Sequence, residues 1–145
     1  MRRARALGLL YGGLLCGGLA ACSIPSPFAP GPLPEGPGNL AADRRACDKS
    51  APAAPGNYVA HAQCINAAVE RDAIPFARYP DLVRMQEQAR IKYSTLIDRG
   101  VLSPRDGERR MAEVDALVDG ATSDRDRGAH VAANHRVDRL QSLLQ

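Results

Sequence analysis

The sequence predicts an all-α domain, a small antiparallel helical hairpin or bundle that follows a proline-rich tether. Three observations carry that expectation. Apolar residues after Asn57 recur three and four apart in four successive segments, the spacing that places them on one face of a helix. Those segments are bounded by residue types that start and stop helices. No stretch alternates apolar and polar residues with period two for long enough to suggest a strand.

The chain opens differently. Arg2, Arg3 and Arg5 make a positive start, and Leu7 to Ala21 follow as an uncharged run of small and apolar residues. A short basic region before an apolar one is the pattern of an export signal. The run is about 15 residues, short of the roughly 20 that span a bilayer as a helix. Gly12, Gly13, Gly17 and Gly18 interrupt it further. Arg2-Arg3 alone lacks the polar and hydrophobic residues that would complete a twin-arginine signal.

At the end of the run stands Leu19-Ala20-Ala21-Cys22, an aliphatic residue, two small ones and a cysteine. Residues 1–22 thereby resemble the lipobox signal of bacterial lipoproteins. The resemblance implies cleavage after residue 21 and attachment of diacylglycerol to the Cys22 sulfur. Full acylation there exceeds the two lipid signals that stable anchoring requires. The position after Cys22 is Ser23, not the Asp that retains many such proteins in the inner membrane. The family rule therefore implies the outer membrane, periplasmic face, with the inner membrane as the alternative. Residues 23–145 show no resemblance to a known family.

Removing 21 of 145 residues leaves 124, enough for one small domain. The domain organisation expected is a signal over 1–21, a lipid-anchored linker over 22–46 and a helical domain over 47–145. The whole chain has 19 basic and 16 acidic residues, but Arg2, Arg3 and Arg5 lie in the signal, which leaves 16 of each. A balanced domain has no long-range field to concentrate phosphate, so nucleic acid is not the expected ligand. With no Trp and only 4% aromatic residues, a stacking platform for sugars or bases is not expected either.

From Ser23 to Gly38 the chain carries six prolines in sixteen residues. Proline removes a backbone donor and fixes φ, so the stretch reads as an extended tether reaching about 50 Å. Of the four cysteines, Cys16 falls in the signal and Cys22 takes the lipid, which leaves Cys47 and Cys64. Outside the cytoplasm two remaining thiols are expected to pair. The rival reading is metal binding, since His61 precedes Cys64 by three. No second pair at ligand spacing completes such a site, so no metal or cofactor is expected.

The helices follow in order. Asn57 is the expected cap of a first one, with Tyr58, Ala62, Ile65 and Val69 as its stripe, ending before Pro75. Residues 75–79 read as a turn, in which Phe76 and Tyr79 form either an exposed peptide-binding knuckle or the end of a bundle. Pro80 suits the first position of a second helix carrying Leu82, Met85, Ala89, Tyr93 and Leu96, and Gly100 stops it. Ser103, Pro104 and Asp106 make the strongest start in the chain. Met111, Val114, Val118 and Ala121 then form a stripe able to zip against the second helix as an αα-hairpin.

Between Gly120 and Gly128 the reading divides. Two glycines and Ser123 suggest a break, while alternating Asp and Arg also suit a solvated helix face. An unbroken helix from Pro104 would run about 60 Å and overhang its partner. The last stripe, Ala129, Ala133, Val137, Leu140 and Leu144, would then need cover from the first helix, from a break that folds it back, or from a second copy of the chain. Leu140, Leu143 and Leu144 likewise read either as core or as a contact.

Chemistry is sparse. His130 and His135 are five apart, about 140° around a helix, and do not share a site. Glu108 and Glu113, beside Arg109 and Arg110, read as surface ion pairs. No nucleophile, base and orienter occur in any motif context, so no catalytic residue is assigned. The expected role is a helical interaction or structural module of the cell envelope, with an envelope protein or a second copy as partner and no small-molecule substrate. A cell-wall enzyme or enzyme inhibitor is the alternative.

Overall fold

A computed structural model describes residues 38–145. The fold is all-α, with α1 over Leu40–Ser50, α2 over Tyr58–Asp72, a 3-10 turn over Ile74–Phe76, α3 over Pro80–Asp98, α4 over Pro104–Asp126 and α5 over His130–Leu144. No described helix is long and apolar enough to cross a membrane. The expected signal, Cys22 and the proline-rich run before Gly38 lie outside the described residues.

α1 corrects the expected boundary of the tether, which placed residues up to 46 in a linker. Asn39 accepts the Ala42 N–H at 3.1 Å, and a run of good helix formers follows that cap. Leu40 and Cys47, two turns apart, bury against Ile65, Ala68, Val69, Ala73, Ile74 and Val83. That burial turns a polar, proline-preceded segment into structure.

Central to the architecture is α3. On one side it meets α2, to which α1 is packed; on the other it forms a three-helix bundle with α4 and α5. The bundle core is Leu82, Ala89, Tyr93, Met111, Val114, Val118, Ala121 and Leu140, and it is separate from the Leu40–Ile74 cluster. The expected hairpin of α3 and α4 is present, entered through Ser103, whose hydroxyl accepts the Asp106 N–H at 3.1 Å.

α4 runs through Gly120 and stops at Gly128, which takes φ +73°. Gly128 N–H donates to Arg125 and Ala129 N–H to Asp124, the pair of bonds that closes a Schellman stop. Gly100 closes α3 in the same way. The break is thus real, and the long overhanging helix does not form. α5 folds back along α4, burying Ala133 and Leu140 and half-burying Val137, Leu143 and Leu144; Ala129 alone of that stripe stays exposed.

A second correction concerns Asn57. It stands at the N-cap position of α2 but makes no side-chain cap bond; its amide nitrogen donates back to the Pro52 carbonyl at 2.7 Å. The free α2 donors are met from α3 instead: Asp98 accepts the N–H groups of Tyr58 and Val59 at 3.1 and 2.9 Å.

Candidate functional site

Two places combine chemistry with accessibility. The first is the groove between α2 and α3, about 490 Å³, lined by Asn66, Glu70, Arg84, Glu87, Ile91 and Lys92 among others. Below it lies a buried polar layer. Arg90 is 1% exposed and sends Nη1 to Asn66 Oδ1, while the Asn66 amide donates to the Glu87 carbonyl at 3.0 Å. On the α4 side, Gln86 Nε2 donates to Asp115 Oδ1 at 2.9 Å. Glu87 Oε1, Ser94 Oγ and the Arg90 Nε and Nη2 donors are buried without a hydrogen-bond partner.

Burial in this layer disfavours charge. It raises the Glu87 carboxyl to about 7, with the neighbouring Glu70 charge adding to the effect and Arg90 and Arg84 opposing it. Burial also lowers the Arg90 guanidinium to about 10, against the pull of Asp115 and Glu87. Asp115 moves upward for the same primary reason.

The second place is a groove of about 360 Å³ between the Ile74–Phe76 turn, the start of α3 and the last half of α4. Phe76, Tyr79, Leu82, Val83 and Val118 give it an apolar lining, with Asp119 and Asp126 at its edge. The two aromatic residues divide the roles expected of them. Tyr79 is locked: its hydroxyl donates to Asp126 at 2.9 Å, and the guanidinium carbons of Arg78 and Arg125 lie 5.6 and 5.1 Å from its ring centre. Arg125 in turn grips Asp81 through two bonds, at 2.8 and 2.7 Å. Phe76 is left 50% exposed, one of the few large apolar side chains in the described residues that is.

Cys47 and Cys64 are joined as a disulfide, their Cα atoms 5.7 Å apart, which ties α1 to α2. Both sulfurs are therefore consumed, and the rival metal reading loses its thiolate. His61 is buried beside them with Nδ1 2.8 Å from the Ala51 carbonyl, an acceptor only, so Nδ1 carries the proton. His130 and His135 are exposed on α5. Glu113 pairs with Arg139 of α5 at 2.9 Å and with Arg110, while Arg109 turns to Asp106. No three His, Cys, Asp or Glu side chains converge as a metal needs among the described residues.

Comparison with known protein families, curated proteins and solved structures finds no match. The site residues that sequence reasoning passed over are Asn66, Glu87, Arg90 and Asp98. By type each reads as surface. The available signal was position, since Gln86 and Arg90 interrupt an otherwise apolar helix face at four-residue spacing.

Proposed function

We propose that this chain is a membrane-anchored periplasmic lipoprotein whose helical domain is an interaction module of the cell envelope, binding a partner protein through the Phe76 groove. The anchor rests on Leu19-Ala20-Ala21-Cys22 behind its basic, apolar leader. The binding surface rests on one observation: Phe76 stands half-exposed over an apolar groove whose other aromatic residue is fixed by three neighbours, Asp126, Arg78 and Arg125. Exposed apolar surface with a polar rim is what a protein contact requires.

The test has two parts. Wild-type protein should incorporate labelled fatty acid and Cys22→Ser should not; unlabelled, soluble wild type would reject the anchor. A photoreactive amino acid placed at Phe76 should give one discrete crosslinked species in cells, and the same group at exposed Val131 on α5 should not. Equal, diffuse labelling from both positions would reject the groove as the contact.

One observation favours the alternative reading, an enzyme or enzyme inhibitor acting at the cell wall. A carboxyl held near 7 beside a second carboxyl is the arrangement a general acid uses. Loss of cell-wall cleavage in Glu87→Gln, with binding through Phe76 unaffected, would favour that reading over the first.

A further inference from the structure

The chain enters the described fold beside the Phe76 groove. Gly38 lies against the C-terminal end of α2, so close to Asp72 that a Cβ on it would stand 2.6 Å from Oδ1. Two residues on, Leu40 is buried in one cluster with Ile74 and Val83, and Ala77 packs against that cluster. Val83 and Ala77 are also walls of the groove. Phe76 follows Asp72 by four residues, through a turn that rises about 2 Å per residue, so the groove rim stands about 8 Å from the point where the chain arrives.

The sequence just upstream of that point suits the groove. Residues 24–34 carry no charge, so they bring no like charge to Asp119 and Asp126 at the groove edge. Leu33, between Pro32 and Pro34, is the nearest aliphatic residue before Gly38. The five steps between them reach at most about 18 Å, ample for the distance to the rim. Prolines bring no backbone N–H that burial would leave unpaired. Aromatic-lined grooves are the surfaces on which proline-rich segments dock, and this one presents the fixed ring of Tyr79 and the open side of Phe76. At about 360 Å³ it has the size of a cleft for a few side chains of one peptide. A link this short also holds the peptide at an effective concentration in the millimolar range, so a weak contact suffices.

We propose that Pro32-Leu33-Pro34 occupies the Phe76 groove of its own chain and covers it until a partner displaces the segment. As a control on partner binding, this rests on the reading of the groove as the domain's contact surface. As an occupant of the groove, the segment stands independently of any partner.

The test is photocrosslinking within the purified full chain, with a photoreactive amino acid at Phe76 and isotopically heavy and light chains mixed. Crosslinked peptides should join position 76 to residues 30–37 of the same chain. Leu33→Ser should lower that yield at least fivefold. The same photoreactive group at Ala41, exposed and equally near Gly38 but outside the groove lining, controls for mere proximity, and its yield should not respond to Leu33→Ser. Three results overturn the proposal: no crosslink to any residue before Gly38, a crosslink joining heavy to light chains, or equal sensitivity to Leu33→Ser at both positions. In cells, Leu33→Ser should raise the partner crosslink at Phe76 severalfold, and an unchanged partner yield overturns the covering role. Loss of any discrete partner species, with the internal crosslink intact, removes the partner reading and upholds the docked segment.

Discussion

The carboxylate of Asp98, the last residue of α3, accepts the N–H of Tyr58, the first residue of α2, at 3.1 Å. Its second oxygen accepts Val59 at 2.9 Å. A cap supplied forty residues away in sequence does two things at once. It satisfies donors that α2 leaves open, and it fixes the end of α2 against the end of α3, where Tyr58 and Ile97 pack. Asp98→Ala should therefore destabilise the fold by about 1 kcal/mol in a urea titration, and Asn57→Ala, which removes no cap, by less. Equal losses in the two variants would mean that the Asp98 bonds contribute nothing beyond the local turn.

The disulfide closes a loop of 17 residues. Tying that loop in the unfolded chain stabilises the native state by about 3 kcal/mol in the chain-entropy model. Native protein treated with an alkylating agent should leave Cys47 and Cys64 unlabelled until it is reduced. Reduction should then lower the melting temperature by several degrees, with α1 the first segment to lose amide protection. Free labelling of both thiols in native protein would contradict the clip.

Leu140 sits on the stripe for which a second copy of the chain was one of the expected covers. In the fold it is 1% exposed and belongs to the α3–α4–α5 core. Truncation to Ala should therefore act as a core deletion, costing about 3 kcal/mol of stability at every protein concentration. A cost that vanishes on dilution would instead place Leu140 at a contact between molecules.

What the sequence made legible followed regular spacing and local caps. Ser103-Pro104 started α4 where expected, and the stripes from Tyr58, Leu82 and Met111 turned inward. The break at Gly128 stayed open on sequence because Gly120 and Ser123 were equally eligible; only the return of α5 onto α4 chooses among them. α1 was illegible for a similar reason. Only Leu40 and Cys47 of its eleven residues are buried, too few for a pattern, and what holds them is the distant α2–α3 pair. The buried polar layer was the least legible of all. Glu87 and Arg90 resemble solvated helix residues until the elements on both sides of α3 are known.

Two buried acids give stability opposite slopes with pH. Asp124, at the α4–α5 corner, accepts Arg136 Nε at 2.8 Å and Arg127 Nη2 at 2.6 Å, and these bonds, the Arg136 one first, hold its carboxyl below the ordinary value. A lowered carboxyl contributes stability that is present above the unfolded value of about 3.9 and is lost as pH falls through the folded one. Glu87 is raised to about 7, so its contribution is complete below the unfolded value of about 4.3 and disappears as pH rises through about 7. The urea midpoint should accordingly peak at about pH 4, between the two unfolded values, declining toward acid through Asp124 and toward neutral pH through Glu87. Asp124→Asn should flatten the acid limb alone and Glu87→Gln the neutral limb alone. A single variant that flattens both limbs would show that the α4–α5 corner and the α2–α3 seam are one coupled network, which their separate placement on opposite sides of α3 argues against.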